Sequence, residues 1–455
     1  MPVNMIKQSL SNYLSGFIVV VLTGISPLAY AQNLLEIYEL ALQNDPILKQ
    51  SHAGQLAVGE SKNQSIANFL PNVSATGISN LSRLTNKRVT YQGSGIQKYS
   101  DNNFNLNLTQ PLFHWDHWIQ LSQSDNQIAQ AEADYQAELQ KLMVKITEAY
   151  FNVLSAEDNL EFSRSEKQAT ARQLEQAKQR FAIGLIDIIE VRETQAAFDR
   201  TIANEIEAAN NVDSQKEALT EIIGEQDIRL NNLGENIPLA RPEPDDISAW
   251  SNSAEVGNFS IISAFNQMEF SRKSIDLQRT GHLPKLDLVA SLGEYDTSSN
   301  FGLRGSTEVV GVRLNVPLFE GGAVNSRTQQ AGYQYQQAKE QLTAAKRAVN
   351  RQVKDAYRGI TSSISRVEAL KTAVSSAETA LQATEAGFEV GVRTLVEVLN
   401  EQRNLYLAKR DYSRTRYDYL LNSIKLKQAA SSLGQEDLEQ INRLLLANSA
   451  ASNGK

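Results

Sequence analysis

Between Asp116 and Phe181 the sequence contains neither proline nor glycine. A helix uninterrupted over that span is roughly 100 Å long at 1.5 Å per residue. Its apolar positions Leu139, Leu142, Ile146, Ala149, Val153, Ala156 and Leu160 step by alternating threes and fours. Such a repeat, averaging about 3.5 residues, belongs to helices wound on one another rather than to a helix on a globular core. The register continues less cleanly through Leu174, Ala177 and Phe181.

The chain reverses direction just after Phe181. In Phe181-Ala-Ile-Gly-Leu-Ile-Asp-Ile-Ile-Glu-Val191, Gly184 can take the left-handed conformation that closes many helices. Asp187-x-x-Glu190 is then a capping-box pattern that opens a new helix. The same design recurs 207 positions later in Phe388-Glu-Val-Gly-Val-Arg-Thr-Leu-Val-Glu-Val-Leu-Asn400. Gly391 falls on Gly184, Thr394 on Asp187 and Glu397 on Glu190. The pairs Ala149-Tyr150 and Ala356-Tyr357 share that offset, which points to an internal duplication. The second long helix, from about Asn325 to Phe388, has the stricter seam: Val349, Val353, Ala356, Ile360, Ser363, Val367, Leu370, Val374, Ala377, Leu381, Thr384, Phe388.

The rest of the chain fits two repeats. A short helix over Leu34 to Asn44 precedes one opened by Pro46, where the missing N–H costs nothing, and running to about Phe69. Alternation comes next, loose from Pro71 to Leu81 and clean in Phe104-Asn-Leu-Asn-Leu-Thr109. Arg83 to Asn103 is polar, contains Gly93-Ser-Gly95, and is read as a loop. After the first reversal a helix spans Ile188 to Ile223. The second repeat has helices at Ile247 to Glu255 and Phe259 to Thr280, then a strand pair at Leu286 to Leu292 and Val310 to Leu318. Its last long helix reaches about Leu433, and a short one covers Gln435 to Leu446. The domains are therefore residues 32–224, a linker at 225–246 with Pro238, Pro242 and Pro244, residues 247–433, and a terminal helix and tail at 434–455.

Residues 1–31 read as a cleaved export signal: Lys7, an apolar stretch from Leu14 to Ile25, and Ala29-Tyr-Ala31 before the cut. That stretch is too short to span a bilayer at about 20 residues per helix. The chain of 455 residues has no cysteine, so no disulfide framework or thiolate metal site is available. Its formal charge of −8 gives no reason to expect nucleic acid as a partner.

The four strands, read at about 9–11 residues each, have the length of tilted membrane strands. Four strands cannot close a barrel, and barrels of this kind begin at about 8 strands. If these strands span a membrane, several chains share one barrel. Phe113, Trp115 and Trp118 stand where an interfacial aromatic girdle belongs, and Asn105, Asn107, Arg313 and Asn315 suit a wet lumen. The helices are too polar for lipid and must project from the barrel as a tube. A small soluble sheet is the bland alternative.

The chain resembles the TolC family of outer-membrane efflux channels over essentially its whole mature length. The resemblance rests on Asn44-Asp-Pro46, Ala149-Tyr-Phe-Asn-Val-Leu154, Gly281-His-Leu-Pro284, Leu318-Phe-Glu-Gly-Gly322 and Val390-Gly-Val-Arg-Thr-Leu-Val-Glu-Val-Leu399. It implies an α+β fold in which a homotrimer closes a 12-stranded barrel, continued by an α-helical tunnel across the periplasm. It also implies a periplasmic adaptor and an inner-membrane pump or ABC exporter as partners, outer-membrane lipid around the barrel, and efflux or type I secretion as the function.

Matched to the family's motifs, the acidic constriction falls on Glu397 and Asn400, where best-matched members carry two aspartates. One carboxylate per chain implies weaker cation selectivity. The closed-state link falls on Arg393 and Glu190, with Phe388 in place of a tyrosine. The adaptor-docking tips are Gly184, Leu185, Gly391 and Val392; Leu185 and Val392 have a local alternative as staples within the turns. The first copy carries Ile186 and Glu193 where the second has Arg393 and Asn400.

No catalytic constellation and no cofactor motif is found. His114-Trp-Asp-His117 is read as an interfacial anchor rather than a metal site. An envelope spacer or adhesin that moves nothing is the alternative function, and a substrate-specific porin is disfavoured by the length of helix.

Overall fold

The computed structural model describes residues 32–86, 95–226, 228–298 and 304–446. The export signal and the tail beyond 446 lie outside the described residues, as does Gly93. The elements are α1 (Leu34–Asn44), α2 (Pro46–Ala67), β1 (Asn72–Asn86), β2 (Gly95–Phe113), α3 (Trp115–Ala182) and α4 (Ile188–Ile223). They continue with α5 (Ile247–Gly257), α6 (Phe259–Arg279), β3 (Lys285–Thr297), β4 (Gly305–Asn315), α7 (Ala323–Glu389), α8 (Leu395–Ala429) and α9 (Gln435–Leu446). The succession helix, strand pair, long helix, shorter helix thus occurs twice.

Two helices, α3 and α7, run the full height, with 68 and 67 residues. Each packs against two shorter helices placed end to end. The C-terminus of α4 meets the N-terminus of α2, where the Asn44 amide donates to the Ile223 carbonyl at 2.8 Å. Asp45 caps α2 by accepting from the Leu48 N–H at 2.7 Å. Asn258 does both jobs at the other junction: it accepts from the Ser260 N–H and donates to the Ala429 carbonyl at the end of α8, each at 2.9 Å. One side chain closes one helix and opens the next, so backbone groups normally left without partners at both ends are satisfied.

The core forms a collar at mid-height. Leu34, Ile37 and Ala41 of α1, Leu438 and Leu445 of α9, and Ile228 and Leu233 of the linker surround Ile146, Tyr150, Val153 and Leu154 of α3. The Tyr150 hydroxyl donates to the Asn231 carbonyl at 2.9 Å. The predicted seam is therefore incomplete here: Leu142, Ile146, Val153 and Ala156 are buried, but so are Met143, Tyr150, Phe151 and Leu154 off the seam. Collar segments cover faces of α3 that a pure coiled coil would leave in water. Below the collar the seam passes through polar residues, Ser163, Glu166 and Thr170, before Leu174 and Ala177. On α7 the seam is buried from Val349 to Val367 and only half-buried from Leu370 to Phe388, where α8 is its main neighbour.

The strands form one antiparallel sheet ordered β1-β2-β3-β4. Three are longer than the expected 9–11 residues, β1, β2 and β3 at 15, 19 and 13, while β4 has 11. The predicted loop from Arg83 to Asn103 is largely strand: Leu81 pairs with Ser100 and Asn86 with Gly95. Backbone pairing continues there although the side chains no longer alternate, because a ladder wet on both faces needs no apolar side. β4 ends at Asn315 rather than Leu318, since Pro317 has no N–H to give the ladder.

Register assigns the faces. Val73 opposes Leu108, Leu106 opposes Leu292, Ala290 opposes Val310, and Leu288 opposes Val312. That face is an apolar band. On the other, Ser74 opposes Asn107, Asn107 opposes Ser291, and Asp287 opposes Arg313. Neither outer edge, β1 nor β4, has a strand partner among the described residues. No described helix is long and apolar enough to cross a membrane.

Candidate functional site

Both reversals adopt the expected geometry. Gly184 and Gly391 have φ of 77° and 83°. The Leu185 N–H donates to the Arg180 carbonyl and the Val392 N–H to the Gly387 carbonyl, both at 2.9 Å. This bond back across the last helical turn needs the left-handed residue, which glycine adopts without a steric cost. Leu185 is 68 % exposed and Val392 75 %, so neither works as a staple within its turn.

Only one of the two predicted capping boxes is complete. In α8 the Thr394 N–H donates to Glu397 Oε2 at 2.8 Å and the Glu397 N–H returns to Thr394 Oγ1 at 3.3 Å. In α4, Asp187 accepts from the Ile189 N–H at 3.3 Å, and Glu190 makes no reciprocal contact. A carboxylate cap can only accept, so the second half of the box has less to hold it. Glu190 instead keeps its Oε2 shut from solvent without a hydrogen-bond donor.

Arg393, expected opposite Glu190, is held by its own helix: its Nη1 donates to Glu397 Oε1 at 2.8 Å. The side chain lies across Gly387, where an added Cβ would come within 2.7 Å of Arg393 Cγ. The Glu397 carboxyl is held below the usual carboxylate range, first by the Thr394 backbone N–H and then by the Arg393 guanidinium. Glu397 and the exposed Asn400 stand three residues apart on the solvent side of α8, opposite the buried Leu395 and Val398.

A contact not expected from the sequence joins the two reversals. The Arg180 guanidinium sits 4.5 Å above the Phe388 ring centroid. Arg180 occupies the position 207 residues before Gly387, as Ile186 does before Arg393. The two reversals have thus exchanged which position carries the arginine. Beside this contact, Ala177, Leu395 and Val398 form a small core with Ile186, Val191, Leu381 and Phe388. The offset that revealed the repeats could have singled out Arg180.

Higher on the same helices, Glu166 of α3 is buried and receives Arg410 Nη2 of α8 at 3.1 Å. Burial pushes its carboxyl up, and Arg410 opposes that. Gln402 of α8 donates to the Glu166 carbonyl and to Thr170 Oγ1, each at 3.2 Å. These polar groups replace apolar packing along the seam.

At the opposite end, Phe113, Trp115 and Trp118 are about half exposed where β2 passes into α3. Trp118 meets Phe69 edge to face, with centroids 4.8 Å apart. His114, Asp116 and His117 come together at this junction, and they are the described residues whose chemistry could hold a metal.

Comparison with known proteins gives a consistent result. The family model described as outer membrane efflux protein matches residues 37–225 and again 250–432. The chain is 36 % identical over 432 residues to the outer membrane protein TolC of Vibrio cholerae, covering 94 % of this chain and 97 % of that one. It is 28 % identical over 422 residues to the alkaline protease secretion protein AprF of Pseudomonas aeruginosa, covering 91 % of this chain and 87 % of that one. The crystal structure of the Campylobacter jejuni CmeC outer membrane channel superimposes with a TM-score of 0.75 at 16 % identity, over 91 % of this chain and 90 % of that one.

Proposed function

The chain belongs to the outer membrane efflux protein family, and from that membership we propose a trimer whose three four-stranded sheets close one barrel of twelve strands. It is an outer-membrane exit duct for efflux and type I secretion, with its helical part in the periplasm. Channels of this family are trimeric and work with a periplasmic adaptor and an inner-membrane pump; the family is one of channels rather than enzymes.

The observation that carries the finer reading is the open sheet. Its apolar band and polar face, with both edges unpaired, are what one third of a barrel requires, because an open edge cannot remain in lipid. Residues 32–224 and 247–433 are two structural repeats joined by the linker 225–246, a reading supported by the family model matching twice. Phe113, Trp115 and Trp118 lie at the membrane boundary.

At the far end Glu397 and Asn400 line the constriction. Arg393 partly neutralises Glu397 in each chain, so the ring is a weak cation filter. Glu190 supplies the acceptor for a closed-state link to Arg393, while Phe388 takes part through Arg180. Leu185 and Val392, exposed beside Gly184 and Gly391, form the tips on which an adaptor docks. Reversing the charge of Glu190 or Arg393 should raise closed-channel conductance in planar bilayers.

The whole reading is tested by reconstituting the purified protein into planar bilayers and measuring its mass in detergent. Discrete ion-conducting events from a three-chain particle are expected. A non-conducting particle would favour an envelope spacer, and a conducting monomer would overturn the shared barrel.

A further inference from the structure

We propose that His114, Asp116 and His117 form a binding site for a divalent transition-metal cation of the zinc type, at the root of the sheet where α3 begins. Nothing in the duct function requires such a site, and it rests on geometry peculiar to this junction.

Three buried ligand-type atoms converge there without hydrogen-bond partners: His114 Nδ1, Asp116 Oδ1 and His117 Nδ1. Buried polar atoms are nearly always satisfied, so three orphans in one cluster require a specific cause. The ligand atoms of the three residues lie within 4.8 Å of one another, with His114 Nδ1 and Asp116 Oδ1 3.7 Å apart. Donors about 2.0–2.1 Å from a tetrahedral ion stand roughly 3.3 Å from each other, so small side-chain rotations close the set. The two imidazoles are stacked at 4.5 Å with 23° between their planes and must fan open to share one ion.

The surrounding groups fix which atoms are free to bind. His114 Nε2 lies 2.9 Å from Asp287 Oδ1 on β3. A carboxylate there accepts a hydrogen from Nε2, which leaves the Nδ1 lone pair aimed into the cluster. This carboxylate–histidine arrangement is the usual outer support of a metal-bound imidazole. Lys285 Nζ holds the other oxygen of Asp116, Oδ2, at 2.6 Å and leaves Oδ1 for the ion.

Two imidazoles and one carboxylate suit zinc and its neighbours rather than magnesium or calcium, which prefer oxygen-only sets. Three protein ligands leave one coordination position open. Asp287 shares the polar face of the sheet with Arg313, so the site is reached from that side. A bound ion would tie α3 to β3 through Asp287 and Lys285, and so brace the joint between sheet and helices.

The test uses the full-length protein in detergent, purified without a histidine tag, stripped with chelator and titrated with zinc chloride alone. One ion per chain is expected, with a higher melting temperature. His114→Gln and His117→Gln should each abolish stoichiometric binding, while His52→Gln and His282→Gln leave it intact. Asp287→Asn should weaken binding about 10–100-fold without removing a ligand. Should a ligand variant fail to assemble, the wild-type protein decides the matter through Co2+. Intense visible bands of a four- or five-coordinate ion, at one per chain, support the site. Weak octahedral bands, sub-stoichiometric zinc, or binding unchanged in His114→Gln and His117→Gln overturn it.

Discussion

Replacing Arg393 by glutamine should make the channel more selective for cations. Arg393 Nη1 lies 2.8 Å from Glu397 Oε1, so on the proposed reading each chain would offer the constriction an ion pair instead of a bare carboxylate. Take a cation on the axis roughly 5 Å from three carboxylates, with the guanidinium charges about 4 Å farther out. Coulomb's law at the dielectric of water then makes the cation about tenfold more concentrated when the guanidinium charges are removed. Screening with a Debye length of about 10 Å reduces the gain to about threefold at 0.1 M salt. The zero-current potential under a KCl gradient, in dilute and in 0.1 M salt, reads this ratio directly. Glu397→Gln should shift it the other way, toward anions. Acid adds a second check. The folded-state pKa of Glu397 is depressed, so its charge and its contribution to the cap persist above the ordinary carboxylate value and are lost as pH falls through the depressed one. Without Arg393 that loss should begin at a higher pH. An Arg393→Gln channel with unchanged or lower cation preference in dilute salt would refute the paired-ring picture.

Other perturbations separate the remaining contacts. Arg180→Ala removes the cation–π contact with Phe388, a loss of about 0.5–2 kcal/mol at a half-buried site, and should speed hydrogen exchange at both reversals while leaving the collar protected. Arg410→Met strands the buried Glu166 and should lower stability by up to roughly 3 kcal/mol at neutral pH, read as a denaturant midpoint. The folded pKa of Glu166 is raised, so its ionised form costs stability above that pKa and protonation relieves the cost; the deficit of the variant should shrink as pH falls. Asn258→Ala loses both the α6 cap and the bond to the Ala429 carbonyl, about 1–2 kcal/mol. Asn258→Asp should restore only the cap, and the melting temperatures of the two variants distinguish the contributions.

The legible parts of this fold are those governed by local rules. A stretch free of proline and glycine defines α3 to within a residue at each end, and a left-handed glycine marks each reversal. The strands are longer than alternation shows because alternation records a difference between two faces, and around Ser79-Asn80 and Asp101-Asn102-Asn103 both faces are polar. Choice of side-chain partner is the least legible. Arg393 has Glu389 and Glu397 four residues to either side and Glu190 in the other reversal, and only the folded turn shows that Glu397 holds it. Asp287 and His114 lie 173 positions apart and meet because β2 and β3 pair, a long-range event that no local pattern records.

The end-to-end junctions at Asn44 and Asn258 have a mechanical consequence. Each hairpin is a two-ply beam in which one ply, α3 or α7, is continuous and the other is cut at mid-height. A covalently continuous helix resists bending along its whole length, whereas two abutting helices transmit compression but little tension. A load at the reversals that stretches the cut ply should open the joint at Asn44 or Asn258, and one that compresses it should meet a stiff column. The collar is wrapped around that height, with Leu34, Leu438 and Ile223 fully or nearly fully buried, like a bandage over a splice.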